Sequence, residues 1–155
     1  MSNFSILENV PQITINAGPS DSQWPDRLKE ELRALIGYTT LLKDSGEEWF
    51  NIKPFQNGTR WEGTCWYTHN LKKYEFKFCF SVPDKYPVTP FELEIPELDG
   101  KTLKMYRGGK ICLDTHFIPL WSKNCPKFGI VHALAFGLAP WLAAEVPYLV
   151  STYKI

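Results

Sequence analysis

Hydrophobic residues recur at helical spacing in the first third of the chain. Between residues 23 and 43 they return every three or four positions, which is typical of a helix with one buried face. Pro25 falls in the first turn of this segment and Gly46 follows its end, as helix boundaries favour. The positions between the hydrophobic ones include five charged residues: Arg27, Lys29, Glu30, Glu31 and Arg33. We therefore predict a helix over residues 23–43 that exposes a charged face.

The hydrophobic spacing then shortens to two, which is typical of strands with one buried face. Strands are predicted over residues 49–55 and 60–68, joined by a turn at Asn57-Gly58. The clearest alternation covers residues 74–82, and a fourth strand is predicted over residues 91–95, beyond a proline-rich bend. Four successive strands with short turns predict an antiparallel meander.

The last third of the chain contains a long connection and an apolar helix. Residues 96–127 lack a sustained period, and a connection of that length in a compact domain is usually functional. Residues 128–150 are apolar almost all round, but this run is bounded by charges and contains Pro140. A membrane span needs about 20 apolar residues, so we predict a buried core helix that Pro140 kinks. The layout is that of an α+β two-layer domain.

Length and composition fit one soluble domain. The chain has 155 residues, of which 44% are hydrophobic and 22% charged, and about 150 residues is a usual domain size. We expect an irregular N-terminal arm over residues 1–20 and a single domain over residues 21–155. Equal totals of 17 basic and 17 acidic residues argue against a nucleic-acid binder. Since the chain does not open with a basic segment followed by an apolar run, we expect it to have no signal peptide. We therefore expect the cysteines to be free thiols and the protein to be cytoplasmic, with a location that extends to the nucleus.

The neutral total conceals a basic segment in the long connection. Residues 1–99 hold 15 acids and 10 bases, whereas residues 100–155 hold 7 bases and 2 acids. From residue 100 to residue 127 Asp114 is the one acid beside six basic residues: Lys101, Lys104, Arg107, Lys110, Lys123 and Lys127. Two interpretations stay open, a solvated surface loop and a charged surface that faces a partner or tunes a reactive group.

Cys112 is the cysteine that this basic segment surrounds. Cys65 and Cys79 lie in predicted strands, where a small buried thiol is the default. Neighbouring positive charge favours a reactive thiolate, and Gly108-Gly109 leave the backbone open to an approaching extended chain. Cys112 is therefore a candidate nucleophile, with an inert packed thiol as the alternative.

Other chemistries are less well supported by the same residues. Cys112, His116 and Cys125 make a poor zinc set, because no Cys-x-x-Cys pair is present. A Cys/His hydrolase could use His116, His69 or His132, but the sequence marks no third group to orient the histidine. His132 begins the apolar helix, where a hydrogen-bonded core histidine is the simpler interpretation. We expect neither a metal nor a cofactor.

The cysteine segment resembles that of ubiquitin-type conjugating enzymes. Those enzymes carry a Tyr-Pro…Pro bend, a strand, a loop ending Gly-x-Ile-Cys-Leu and a following Trp. The corresponding residues here are Tyr86-Pro87…Pro90, residues 91–95, Gly109-Lys110-Ile111-Cys112-Leu113 and Trp121. Their His-Pro-Asn is absent, and the run over residues 96–112 that replaces it is similar to the conjugating enzymes of the ubiquitin-fold modifier 1 system.

The similarity to that family extends over about residues 12–150. It includes Asn16-Ala-Gly-Pro19, Gly58-Thr-Arg-Trp61, Cys65-Trp-Tyr67, Lys73-Tyr-Glu-Phe76, Pro126-Lys-Phe-Gly129 and Gly137-Leu-Ala-Pro-Trp-Leu142. Two local departures stand out. Thr102-Leu103-Lys104 replaces the family's Thr-Ala-Lys, and Leu113-Asp114-Thr115-His116 replaces its Leu-Thr-Asp-His.

This resemblance implies a ubiquitin-conjugating fold without the two further C-terminal helices of typical members. It also implies that Cys112 accepts ubiquitin-fold modifier 1 from an activating enzyme, as a glycyl thioester, and passes it to substrate lysines with a ligase. The enzyme would act as a monomer with no membrane span. The alternatives are a non-catalytic modifier-binding module of the same fold and a Cys-dependent hydrolase.

The resemblance also suggests roles for further residues. In place of the missing Asn the segment offers three polar side chains, Thr102, Lys104 and Tyr106. Lys104 is a candidate for an oxyanion or positioning role, and Thr102 for support of the loop. In related enzymes the first helix helps to bind partners. That makes four residues candidates for partner binding: Arg27, Lys29, Glu30 and Arg33.

Overall fold

The first helix and three strands form where the hydrophobic spacing predicts them. The computed structural model describes residues 6–155, so the first five residues of the predicted arm lie outside the described part. Helix α1 covers Trp24–Ser45, and Gly46 ends it in the left-handed region, with φ 71°. Strands β1 (Phe50–Phe55), β2 (Arg60–His69) and β3 (Lys72–Ser81) follow as an antiparallel meander in that order.

One face of this sheet is the floor of the core. Trp61 lies opposite Phe80 and Cys65 opposite Phe76 across β2 and β3, and all four are buried. Because side chains alternate along a strand, the register places every second residue on this inner face. The C-terminal part of the chain packs on it.

The prediction of a regular fourth strand over residues 91–95 is wrong, because this segment is extended but does not form a continuous ladder. Within this segment Glu94 alone bridges to β3, exchanging two backbone hydrogen bonds with Cys79 at 3.0 and 2.9 Å. Pro90 and Pro96 bracket the segment, and a proline cannot donate to a strand ladder. The sheet therefore has three strands, with an extended segment attached along β3.

The long connection contains more regular structure than its sequence predicts. It holds a 3₁₀ turn at Pro96–Leu98, the two-residue strands β4 (Met105–Tyr106) and β5 (Lys110–Ile111), and helix α2 (Ile118–Asn124). Each of these elements is too short to produce a hydrophobic period, which explains why the spacing does not reveal them.

The C-terminal helix covers Ile130–Ser151 and has the predicted irregularity. A π turn at Leu134–Leu138 separates α3 (Ile130–Ala133) from α4 (Ala139–Ser151), and Pro140 lies in the first turn of α4. By length and composition this helix could cross a membrane. Five of its apolar side chains are nevertheless at most 1% exposed within the core: Leu134, Leu138, Leu142, Val146 and Leu149.

The charged face predicted for α1 is partly wrong, because Arg27 and Glu31 are both 0% exposed. Arg27 Nε lies 3.1 Å from Glu31 Oε2, so the two charges meet one turn apart on the buried side of the helix. Ile36, which the spacing places on the apolar face, is 64% exposed. The buried face is therefore rotated from the predicted one, and Arg27 cannot dock a partner.

The Arg27–Glu31 pair joins segments that are distant in sequence. The guanidinium donates to three backbone carbonyl oxygens, at 2.8, 2.7 and 2.9 Å, those of Ile15, Pro126 and Phe128. The Glu31 carboxylate accepts from the Tyr86 hydroxyl, and from the Ile130 N–H at 2.7 Å. The arm, α1, the proline-rich bend and the start of the C-terminal helix thus meet at one buried ion pair.

Replacing Arg27 should therefore destabilise the protein strongly. Arg27→Met leaves the Glu31 carboxylate buried without its counter-charge, and we expect a loss of roughly 3–5 kcal/mol in the free energy of unfolding. Lys29→Met, on the exposed side of the same helix, should change it by less than about 0.5 kcal/mol. Urea unfolding followed by tryptophan fluorescence measures both. A loss below about 1 kcal/mol for Arg27→Met would contradict the role given to this pair.

Candidate active site

Cys112 follows β5 directly, and two sets of backbone hydrogen bonds fix that strand. On one side β5 pairs with β4, so that Lys110 lies opposite Tyr106. On the other side the Ile111 N–H donates to Leu93 O at 2.9 Å, in the extended segment beside β3. The cysteine is therefore placed by the sheet, although its own segment is irregular.

Gly109 makes the turn into β5 possible. Its φ is 85°, a region that glycine adopts without steric cost. Its carbonyl oxygen accepts from the Ile95 N–H at 2.8 Å. A Cβ at this position would lie 2.7 Å from Ile95 O and 2.8 Å from Pro96 Cα, which is too close. The sequence marks this glycine as open backbone, and the structure shows that close packing requires it.

The backbone and the thiol of Cys112 have separate partners. The Cys112 N–H donates to Lys104 O at 2.9 Å. The half-buried thiol donates to the Tyr106 hydroxyl oxygen, with Sγ 3.8 Å from Oη, and the Tyr106 hydroxyl in turn donates to Asp114. The sequence offers Tyr106 as a polar side chain of this segment but assigns it no role, because spacing alone does not place it against the thiol.

The segment that precedes β4 is clamped by helix α4. Lys104 O, which binds the Cys112 N–H, also accepts from Trp141 Nε1 at 3.0 Å. The Thr102 hydroxyl donates to Glu145 Oε1 at 2.5 Å and accepts from the Lys104 N–H at 3.1 Å. Thr102 thus binds both helix and loop. The Lys104 side chain is exposed and takes part in none of the ion pairs found in residues 6–155.

The other three cysteines are packed in ways that do not suggest nucleophiles. Cys65 is fully buried, and this burial raises the pKa of its thiol to about 12. Burial also raises the pKa of Cys79. Cys125 is half-buried, with Sγ 3.3 Å from Pro87 O.

The histidines considered for a hydrolase lie in other contacts. His132 Nδ1 accepts from the Gly129 N–H at 3.0 Å, and burial lowers the pKa of this imidazole to about 4. His116 Nε2 lies 3.4 Å from Gly137 O. In the described part of the chain no histidine is hydrogen-bonded to Cys112, and no cluster of three metal-ligating side chains occurs.

A groove of about 690 Å³ opens beside the cysteine segment. Apolar side chains line it together with two cationic and two acidic residues. Its lining includes Leu93, Ile118, Tyr106, Arg107, Lys110 and Asp114. Ile111 and Leu113, the two neighbours of Cys112 in the sequence, are among the residues that line this groove, and a groove of this kind can take an extended peptide.

Two of the four predicted docking residues are free to meet a partner. Lys29 and Arg33 are exposed on α1. Glu30 is half-buried, and its carboxylate accepts from the backbone N–H groups of Thr14 and Ile15 at 3.0 and 2.8 Å, which ties the arm to the helix. Arg27 belongs to the buried pair.

Comparison with known proteins identifies sequences similar to this chain. The family model described as "Ubiquitin-fold modifier-conjugating enzyme 1" matches residues 4–155. A rice protein with that name is 59% identical over 150 residues, which cover 96% of this chain and 81% of the rice protein. Proteins of the same name from Arabidopsis thaliana and Drosophila melanogaster are 59% and 56% identical, and the match covers 88% and 93% of their lengths.

Proposed function

Because the chain belongs to the ubiquitin-fold modifier-conjugating enzyme 1 family, we propose that Cys112 carries the modifier as a thioester and delivers it to lysine amines. Family membership makes the protein a transferase of ubiquitin-like conjugation. The proposal adds the residue and the intermediate. It rests above all on the placement of Cys112, a half-buried thiol whose backbone is fixed by β5 and by Lys104 O, beside an open groove.

Loading exchanges one thioester for another. The Cys112 thiolate attacks the carbonyl carbon of the modifier's C-terminal glycyl thioester on the activating enzyme, and a tetrahedral oxyanion forms. Collapse of that oxyanion expels the activating enzyme's thiolate and leaves the glycyl group on Cys112. The step is nearly neutral in energy, because a bond of the same kind forms and breaks.

Discharge replaces the thioester by an amide. The neutral amine of a substrate lysine attacks the Cys112 thioester, the second oxyanion collapses, and the Cys112 sulfur leaves as a thiol after taking up the proton that the amine loses. The barrier lies in positioning the amine, removing its proton and stabilising the oxyanion. A ligase that holds the loaded enzyme and the substrate together supplies the positioning.

Lys104 is the residue we assign to the oxyanion. Its backbone is bonded to that of Cys112, its side chain is exposed, and a positive charge near a developing oxyanion lowers its energy. Thr102 has a supporting role, because its hydroxyl connects the loop to Glu145 of α4.

The proposal also names the partners and the compartment. The groove beside Cys112 suits the extended C-terminal tail of ubiquitin-fold modifier 1, and the exposed residues Lys29 and Arg33 of α1 suit the activating enzyme or the ligase. We propose that the enzyme acts as a monomer in the cytoplasm. The four cysteines, all free, suit a reducing compartment.

Replacing Cys112 separates the thioester from other adducts. Incubated with activating enzyme, ATP and modifier, the native chain should form an adduct that a thiol reductant removes. Cys112→Ala should form none, and Cys112→Ser should trap an oxyester that resists the reductant. Non-reducing gels follow all three. A reductant-sensitive adduct on Cys112→Ala would show that the assignment is wrong.

The two polar residues of the clamped segment should have unequal effects on discharge. Lys104→Ala should slow discharge of preloaded Cys112 to free lysine by roughly 10- to 1,000-fold, since it removes charge from the oxyanion. Thr102→Ala should act through loop order and cost about 1 kcal/mol of stability. Lys101→Ala in the same loop is the control. If the single-turnover rate of Lys104→Ala is within about twofold of the native rate, Lys104 is a solvated surface residue with no role at the oxyanion.

Charge reversal on α1 tests the docking surface. Lys29→Glu should slow loading by the activating enzyme at low salt and leave folding intact, because the exposed charge is lost without a change in the core. Lys43→Glu, about 21 Å away along the same helix, is the matched control. Equal loading rates for Lys29→Glu and the native chain at low salt would remove α1 from the docking surface.

A further inference from the structure

Three side chains at the cysteine form a directed chain of hydrogen bonds. The Cys112 thiol donates to Tyr106 Oη, 3.8 Å away, and the Tyr106 hydroxyl donates its own proton to Asp114 Oδ2. Building on the function proposed above, we propose that the Tyr106–Asp114 pair is a positioning device that holds Cys112 in its thiol form. Tyr106 acts on the sulfur, and Asp114 acts through Tyr106.

The direction of the two bonds carries this inference. Because the Tyr106 proton is committed to a carboxylate, the phenol offers the sulfur a lone pair and no donor. A thiol can donate to that lone pair, whereas a thiolate would face an oxygen lone pair and the nearby negative charge. The pair therefore stabilises the protonated sulfur. The bond to Asp114 also raises the pKa of Tyr106, so the phenol stays protonated at neutral pH.

The other charged side chains near the sulfur have different partners, so the Tyr106–Asp114 pair is the one that acts on the sulfur directly. Lys104, before β4, is exposed and contacts Cys112 through its backbone oxygen. On the helix side Glu145 is bonded to Thr102, and His116 lies against Gly137 O. In the described residues Tyr106 is the one titratable side chain hydrogen-bonded to Cys112 Sγ.

Asp114 is also free to respond to a partner. No cation of the described residues lies within ion-pair distance of it, although six basic residues share its segment. Lys110, the nearest of them in sequence, is instead paired with Glu92 at 2.8 Å. A cation that reaches Asp114 would compete for its carboxylate and free the phenol proton to turn toward the sulfur, where it would stabilise the thiolate.

Asp114 stands two residues after Cys112, in the order Leu113-Asp114-Thr115, where the resembled family has Leu-Thr-Asp. The bond from Tyr106 is made to this shifted carboxylate.

A double-mutant cycle on the alkylation of Cys112 by iodoacetamide tests the pair without any other protein. Cys65, Cys79 and Cys125 are replaced by Ser or Ala in one shared background, so that Cys112 alone reacts. Asp114→Ala should raise the alkylation rate at pH 7 by about 3- to 10-fold, because the released phenol can donate to the thiolate. The rate at high pH should stay the same, which separates acidity from access. Asp44→Ala, an exposed acid on α1, is the control for net charge.

The tyrosine arm of the cycle identifies the route. With Tyr106→Phe in place, Asp114→Ala should change the rate by less than about twofold, since only the direct effect of the carboxylate charge remains once the hydroxyl that transmits the larger effect is gone. The proposal is overturned if Asp114→Ala leaves the native rate unchanged, or if it raises the rate equally in both backgrounds. Loading by the activating enzyme is measured separately on the same variants. If the alkylation rates change as expected but the protein never forms a thioester, the proposed function is wrong and this inference stands. If Asp114→Ala leaves the alkylation rate unchanged in a protein that does form the thioester, this inference is wrong and the proposed function stands.

Discussion

The fold depends on one buried ion pair, Arg27 with Glu31, that satisfies all of its own hydrogen-bonding groups. A guanidinium has five N–H donors, and Arg27 makes five hydrogen bonds, to Glu31, Tyr86 and three backbone oxygens. Taking two charges out of water is costly unless each is paired and further bonded. That condition is met, since no buried side-chain polar atom in residues 6–155 lacks a partner.

A continuous set of contacts leads from this pair to the cysteine. Glu31 binds the Ile130 N–H and thereby fixes the start of the C-terminal helix. Two residues one turn apart on α4, Trp141 and Glu145, then hold the segment before β4. The carbonyl oxygen that Trp141 binds is the one that receives the Cys112 N–H. A rigid scaffold thus positions a reactive group in an irregular segment, which such transfer chemistry needs.

Local patterns in the sequence account for α1, for β1 to β3 and for the irregular C-terminal helix, because each is long enough to show its period. The same patterns placed Arg27 on the surface, since a spacing rule cannot recognise two charges that neutralise each other inside the core. The extended segment over residues 91–95 pairs with β3 through Glu94 alone. How far that pairing extends depends on the flanking prolines and on β3, which a local pattern does not capture. Cys112 could be selected from its basic, glycine-containing setting and from a family resemblance. Tyr106 could not, because its contact with the thiol exists only after the β4–β5 turn has formed.

The central claim is that Cys112 carries the modifier, and mass spectrometry of the native chain tests it most directly. The protein is incubated with activating enzyme, ubiquitin-fold modifier 1 and ATP, quenched without reductant, and digested. Before digestion we expect one adduct whose mass is that of the modifier less one water and which is lost when a thiol is added. After digestion we expect the modifier's C-terminal fragment on the Cys112 peptide. An adduct on another residue, a noncovalent complex with no adduct, or cleaved modifier without a bound intermediate would contradict the account.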